Sequence, residues 1–488
     1  MEFSNEIQEE YQNKMIPLEI ENEKEEGLYD QIMDKTTFSR NRIFIMICMV
    51  FIFISDGMEM TIFSFIIKPF GEYFGFEESD VTVQVAASSL FLGIIFGSAL
   101  AGFITKKFGR ILIINISNFF ILISHLLSGL LLYYPVYIIC RCIMGLTLGI
   151  IIPIFMNIFG EYCPSKYRGF LLMVSWSFYG VGQMITNVIG LFVMPELEKD
   201  KLKIFLLILT IFPFLAFISC IFLLKNSPKG LLVSKNIIYN RTSYNMLSEI
   251  NKEQLNENEE KKVKKELDEL EKKKSSLTMK ETIKEMFNQE LKKTTILMIV
   301  AFISIGYNAF GIYSISSYFL DYLDKEENGT KEEEQITPAR DIIINQILYG
   351  LAEIVADVAG GLFGEIRKLG RKGGIMIFTI LASILTIIGL FSKILFEVMS
   401  PISSGFTSIY VNLAMDYVVE LYPIEIRDSS TSLLFMIYRI SCFTCNFISM
   451  GFYNINKYVP FIIYAGFAVV ISICTWLLPY EMVGKSMK

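Results

Sequence analysis

Histidine is nearly missing from this chain: a single residue, His125, stands among 488. A centre assembled from several imidazoles is thereby excluded, and no HExxH, GxSxG or P-loop pattern occurs. Neither an enzyme nor an ATP-driven pump is expected, and no cofactor or metal is implied. Dense basic stretches are missing too. The 44 Lys and Arg residues are outnumbered by 50 Asp and Glu, so there is no field for nucleic acid. The eight cysteines lie in or beside apolar runs, with no two in one exposed loop, which excludes a disulfide framework and a zinc site. Cys442 and Cys445 form a CxxC inside an apolar helix, where packing is the expected role. No basic segment leads into an early apolar stretch. The first 40 residues are polar and acid-rich, including Glu9, Glu10, Glu23, Glu25 and Glu26, so the first apolar span is expected to act as the insertion signal.

What the chain has in excess is apolar surface. It is 53% hydrophobic and 14% aromatic, with a mean hydropathy of +0.47, well above a soluble domain. Twelve runs are long enough to cross a hydrocarbon core of about 30 Å as helices. They lie near 43–67, 82–104, 111–134, 136–160, 170–194, 204–224, 294–320, 342–364, 374–391, 395–419, 429–453 and 458–479. The expected fold is all-α, about twelve transmembrane helices in two six-helix bundles.

Lys106, Lys107, Arg110, Lys166, Arg168, Arg367, Lys368, Arg371, Lys372 and Arg427 gather in short loops on one side. The positive-inside rule then puts both termini and the central loop in the cytoplasm. The organisation expected is an acidic tail (1–41), a first bundle (42–224), a charged linker (225–293), a second bundle (294–480) and a short tail (481–488). Within the linker, 252–274 is rich in Lys and Glu and reads as a solvated helix. Sequons at Asn328 and Asn240 fall on opposite sides and do not decide the topology.

The two halves repeat each other. KKFGR (106–110) returns as RKLGR (367–371), and EYCPSKYR (161–168) returns as ELYPIEIR (420–427), at offsets of 261 and 259 residues. Two unrelated signals with nearly one period imply paired bundles about an axis along the membrane normal, with a pathway between them.

On these motifs the sequence resembles the major facilitator superfamily. DGMEMTIFSFIIKP (56–69), RCIMGLTLG (141–149), YGLAEIVADVAG (349–360), MIYRISCF (436–443) and LPYEMVGK (478–485) narrow the resemblance to synaptic-vesicle-two-related proteins, with organic-ion, nicotinate and sugar porters as neighbours. It extends over 42–485 outside the central loop. It implies alternating-access transport of a small organic solute, such as an organic ion, carboxylate or sugar, coupled to protons or facilitative. The partners implied are that solute and the bilayer of the plasma membrane or an organelle, with one copy of the chain as the working unit. The chain departs from the family at Lys106 and Arg367, where an acid is usual, in NSPKGLL (226–232), and near Pro401, where an arginine is missing. These departures leave open a transporter-like receptor or structural subunit.

Ionisable residues inside a span cost about 2.5 to 3.5 kcal/mol and need a reason. Asp56 and Glu59 share a face of the first span and are candidates for proton exchange, or for a static pair with a neighbouring cation. Glu353 and Arg439 lie midway along the eighth and eleventh spans. They suit a substrate carboxylate with a balancing charge, or a permanent salt bridge. Gln183, Asn308, Tyr313 and Ser317 could bind a polar solute or glue helices together. Asp357 is expected at the gate. His125 is expected to be packed or hydrogen-bonded rather than a relay. Gly93, Gly97, Gly102, Gly145, Gly149, Gly180 and Gly182 suit close helix packing. Arg110, Glu161, Arg168, Arg371, Glu420 and Arg427 are expected to form weak surface ion pairs between the halves, a reversible latch.

Overall fold

A computed structural model of the chain describes residues 40–76, 81–164, 167–225, 227, 279–328, 339–366 and 370–479. The tails, most of the central linker and Arg367 lie outside these residues. Six helical columns form the first half. They are α1 (Arg40–Phe74), α2 (Val81–Phe108), α3 (Arg110–Leu130), α4 (Tyr134–Tyr162), α5 (Arg168–Val193), and a sixth column made of α6 (Leu202–Leu209) and α7 (Ile211–Leu223). A short helix α8 (Met279–Met286) precedes six more: α9 (Lys292–Asn328), α10 (Ala339–Gly364), α11 (Gly370–Gly389), α12 (Lys393–Leu421), α13 (Ile424–Ile455) and α14 (Val459–Leu477). The described residues contain no strand. This is an all-α, multi-pass membrane protein.

Ten of the twelve columns are long and apolar enough by composition to cross a membrane. The other two, α5 and α13, are diluted by polar residues such as Gln183 and Asn187 in one and Asp428 to Ser432 and Arg439 in the other. Both pack against the opposite half rather than facing lipid alone. The sixth run, expected as one helix, is broken between Leu209 and Ile211. Pro213 has no N–H for the Leu209 carbonyl, and the chain tightens so that the Thr210 N–H donates to the Leu207 carbonyl at 3.3 Å.

The repeat is structural as well as sequential. Gly109 and Gly370, the glycines of the two basic loops, have φ of 87° and 62°, a backbone region that side chains disfavour. Each turns the chain sharply into the next helix, α3 or α11. Inside the first half α2 and α4 approach until their backbones touch. A Cβ on Gly93 would lie 2.1 Å from the Cys142 carbonyl oxygen, and one on Gly145 would lie 2.0 Å from that of Leu90. With little hydrophobic drive between helices in lipid, such close van der Waals packing supplies the attraction. The halves meet where α2, α4 and α5 pack against α10, α12 and α13.

Candidate functional site

Between the halves lies a cavity of about 120 Å³, walled by α1, α5, α9, α10, α12 and α13. Its polar lining includes Gln183, Glu353 and Arg439, and its aromatic lining Trp176, Tyr179 and Tyr438. Arg439 is 8% exposed. Among the described residues its guanidinium makes no hydrogen bond or ion pair; the Tyr438 ring lies 5.3 Å from it. Glu353 accepts a hydrogen bond from the Ser404 hydroxyl at 3.0 Å and is not paired with Arg439. The salt bridge that the sequence left open between these two is therefore not formed. Glu353 and Arg439 face one cavity without bonding each other.

Asp56 stands behind the wall. It is 1% exposed, neither carboxylate oxygen has a hydrogen-bond partner among the described residues, and the charges acting on it are Arg439 and Glu59. Asp357 accepts from Ser408 at 2.8 Å and from Asn412 at 2.9 Å. Nearer the basic loops, the Trp176 indole of the first half donates to Asp416 of the second at 3.3 Å. Asn308 does not line the cavity. Its amide donates to the Tyr464 carbonyl at 2.6 Å and accepts from the Tyr410 hydroxyl at 2.5 Å, so both ends are engaged in helix packing. The side chains of Tyr313 and Ser317 lie outside the described residues.

Glu59 is fully buried and held from two sides. His125 Nδ1 is 2.5 Å from Oε1, and Arg141 Nη1 donates to Oε2 at 2.5 Å. His125 is thus hydrogen-bonded, as expected. Arg141 was missed, although the criterion that picked out Arg439, a charge inside an apolar run, applies to it equally.

At the end carrying the basic loops the two repeats build the same pair. Arg110 donates to Glu161 at 2.9 Å, and Arg371 donates to Glu420 at 3.1 and 3.3 Å. Arg168 and Arg427 cap the adjoining turns through the carbonyls of Gly160 at 3.2 Å and Tyr422 at 3.1 Å. One correction follows: these are not surface pairs, since Glu161, Arg371 and Arg427 are buried. Among the described residues Arg110 and Arg371 each bond the glutamate of their own repeat.

Bonds that cross between the halves also involve residues that sequence reasoning overlooked. Asp428, at the start of α13, accepts from Arg110 Nε and Nη2 at 2.9 Å each and from Asn157 at 2.9 Å. In the repeat its place is taken by Gly169, where an added Cβ would lie 2.0 Å from Arg371 Nη2. There the crossing is made by the Phe170 N–H, which donates to Glu365 at 3.0 Å, with Glu365 also 3.5 Å from Arg371. Ser227, in the segment that departs from the family pattern, donates to Glu161. The side chain of Lys106 lies outside the described residues.

Among proteins of known sequence or structure, the chain matches the family model described as sugar (and other) transporter over residues 42–488. It is 22% identical to organic cation/carnitine transporter 7 of Arabidopsis thaliana, covering 94% of this chain and 95% of that one. It is 21% identical to the synaptic vesicle 2-related protein of Rattus norvegicus, covering 89% and 77%. Among solved structures it resembles the major facilitator proton:xylose symporter XylE bound to 6-bromo-6-deoxy-D-glucose, with a TM-score of 0.72 at 16% identity over 91% of this chain and 97% of that one. The inward-open form of XylE from E. coli gives 0.61 at the same identity and coverage. The shared twelve-column fold and the match along nearly the whole chain lead to one conclusion: this protein belongs to the sugar (and other) transporter family, the multi-pass major facilitator carriers of small solutes.

Proposed function

We propose that the chain carries a small charged organic solute through the central cavity by alternating access, coupled to protons. The observation that carries this reading is Arg439. Among the described residues this guanidinium, in a membrane-embedded cavity, has neither a carboxylate nor a hydrogen-bond acceptor bound to it; such a group is costly, and its planar fork suits a carboxylate. Glu353 and the aromatic rings of Trp176, Tyr179 and Tyr438 suit a cationic or polar end of the same solute. Gln183 adds a neutral donor and acceptor.

Coupling follows from competition for Arg439. Asp56 is the carboxylate nearest in effect to that cation. A solute carboxylate and an ionised Asp56 compete for one guanidinium, so binding an anion favours a proton on Asp56. Glu59 holds a second place in the proton-coupling set, fixed by His125 and Arg141. The Arg110–Asp428 and Phe170–Glu365 contacts close the end with the basic loops, which the positive-inside rule assigns to the cytoplasm. Opening that end breaks them. Closure by Asp428 supports a working carrier over a transporter-like receptor.

The test is uptake in proteoliposomes, with and without a pH gradient, screening small carboxylates, organic cations, zwitterions and sugars. Arg439→Leu is expected to lose at least one charge-assisted bond, about 2 kcal/mol or roughly 30-fold in solute affinity. Since Arg439 and Glu353 are not paired, adding Glu353→Leu should not restore transport. Normal transport in the double variant would refute the binding role.

A further inference from the structure

A second, smaller cavity of about 30 Å³ lies inside the second half. It is walled by α9, α10, α11 and α12, and it shares Ala309, Ser404 and Thr407 with the central cavity. From there this annex runs to Gly389 and Phe396, away from the basic loops. Its polar lining is made of hydroxyl side chains alone. A hydroxyl has one hydrogen to give. Ser316 gives its own to the Ile312 carbonyl at 2.7 Å, and Ser404 to Glu353 at 3.0 Å. Ser403 and Thr386 stand 2.8 Å apart and share the Ala382 carbonyl, at 2.8 and 3.0 Å, so both of their hydrogens are used there. What these four side chains can still offer a guest is lone pairs. The Ser400 oxygen is buried and meets no hydrogen-bond partner of good geometry among the described residues; the Tyr349 hydroxyl is its neighbour. Such a lining repels an anion and suits a cation or a hydrogen-bond donor.

Charge separates these two guests. Glu353, at the shared lip, is bonded to Ser404 and has no cationic partner among the described residues. A carboxylate inside a membrane span is costly without one. A water in the annex would satisfy the hydroxyl oxygens and leave the charge. A proton on Glu353 would remove the charge and leave the oxygens. A sodium ion does both, because a hard cation takes oxygen ligands and a single carboxylate balances a single positive charge. A divalent ion would leave one charge over. The volume admits an ion or a water-sized group and excludes an organic solute.

We propose that the annex and Glu353 form a sodium site, with the hydroxyl oxygens of Thr386, Ser400, Ser403 and Ser404 and the Glu353 carboxylate as its ligands. Sodium there cancels Glu353 and leaves Arg439 as the net charge of the cavity, which favours an anionic solute. That consequence rests on the cavity reading above; the site itself does not. Equilibrium binding of radioactive sodium to the full chain in lipid nanodiscs, at an ionic strength held constant with N-methyl-D-glucamine chloride, tests it without a solute. A single saturable site per chain is expected. Glu353→Gln should weaken it about tenfold or more, and Ser400→Ala and Thr386→Val about fivefold each, in samples that thermal unfolding shows to be folded. Ser400 holds no other bond of good geometry among the described residues, so Ser400→Ala is expected to fold. No saturable binding to the folded wild-type chain would mean that the annex holds water only, and overturns the site. Unchanged affinity in both hydroxyl variants overturns it as well. So does displacement by methylammonium as strong as by sodium, which would give the annex to the ammonium end of a solute. Arg439→Leu should keep sodium binding. A negative solute screen therefore leaves the sodium site standing, and a missing sodium signal leaves the Arg439 reading standing.

Discussion

Neutralising Asp428 should loosen the closed end of the transporter by a calculable amount. In Asp428→Asn the side chain keeps its shape, and its carbonyl can still accept one bond from Arg110. The second charge-assisted bond, now 2.9 Å long, is lost or reduced to a neutral one. Such a bond contributes about 1.5 to 3 kcal/mol. Arg110 retains Glu161, so its charge is not stranded and the larger penalty for an unpaired buried ion does not apply. About 2 kcal/mol is therefore expected, which shifts the balance between closed and open forms by roughly 30-fold toward open. Cys163 offers a native reporter. It follows α4 at the same end, is 3% exposed, and lies among Arg42, Arg168 and Glu420. In a background where the other seven of the eight cysteines are replaced, its alkylation rate by a maleimide measures the open population. The rate should rise about 30-fold in Asp428→Asn. A change smaller than about threefold would show that Asp428 does not hold the halves together, and the latch would have to be sought elsewhere.

Two further outcomes follow from the packing. Gly145→Ala would push a methyl to 2.0 Å from the Leu90 carbonyl oxygen, forcing α2 and α4 apart; a loss of about 1 to 3 kcal/mol, or failure to fold, is expected in thermal unfolding of the detergent-solubilised protein. Asn308→Ala removes a partner from both the Tyr464 carbonyl and the Tyr410 hydroxyl. It should lower stability by about 1 to 3 kcal/mol in the same assay, with solute selectivity in proteoliposomes unchanged. A selectivity change without destabilisation would return Asn308 to the solute site.

Several individual residues show where sequence reasoning stopped. His125 was expected to be packed or hydrogen-bonded, and it is, but its partner could not be named. Glu59 and His125 are 66 positions apart, and no local pattern joins them. Arg141 was legible by the criterion applied to Arg439 and was passed over inside a motif valued for its resemblance. Asn308 looked like a solute ligand because it is polar inside a span. That property is shared by residues that tie helices together, and burial with two bonded ends separates the roles.

The sequence by itself determined the helices, their count and the twofold repeat. Run length against bilayer thickness is a local quantity, and so is a glycine that must take a positive φ at Gly109 and again at Gly370. It also marked Arg110, Glu161, Arg371 and Glu420 as one repeated set of charges, but not that Arg110 bonds Glu161 and Arg371 bonds Glu420 within each repeat. Only the tertiary structure decided which charges cross between halves and which are left facing the cavity. Arg110 and Asp428 are 318 positions apart, and Glu353 and Arg439 share a wall without touching. Whether two buried charges meet depends on a few ångströms of helix packing, a distance that hydropathy and spacing do not encode.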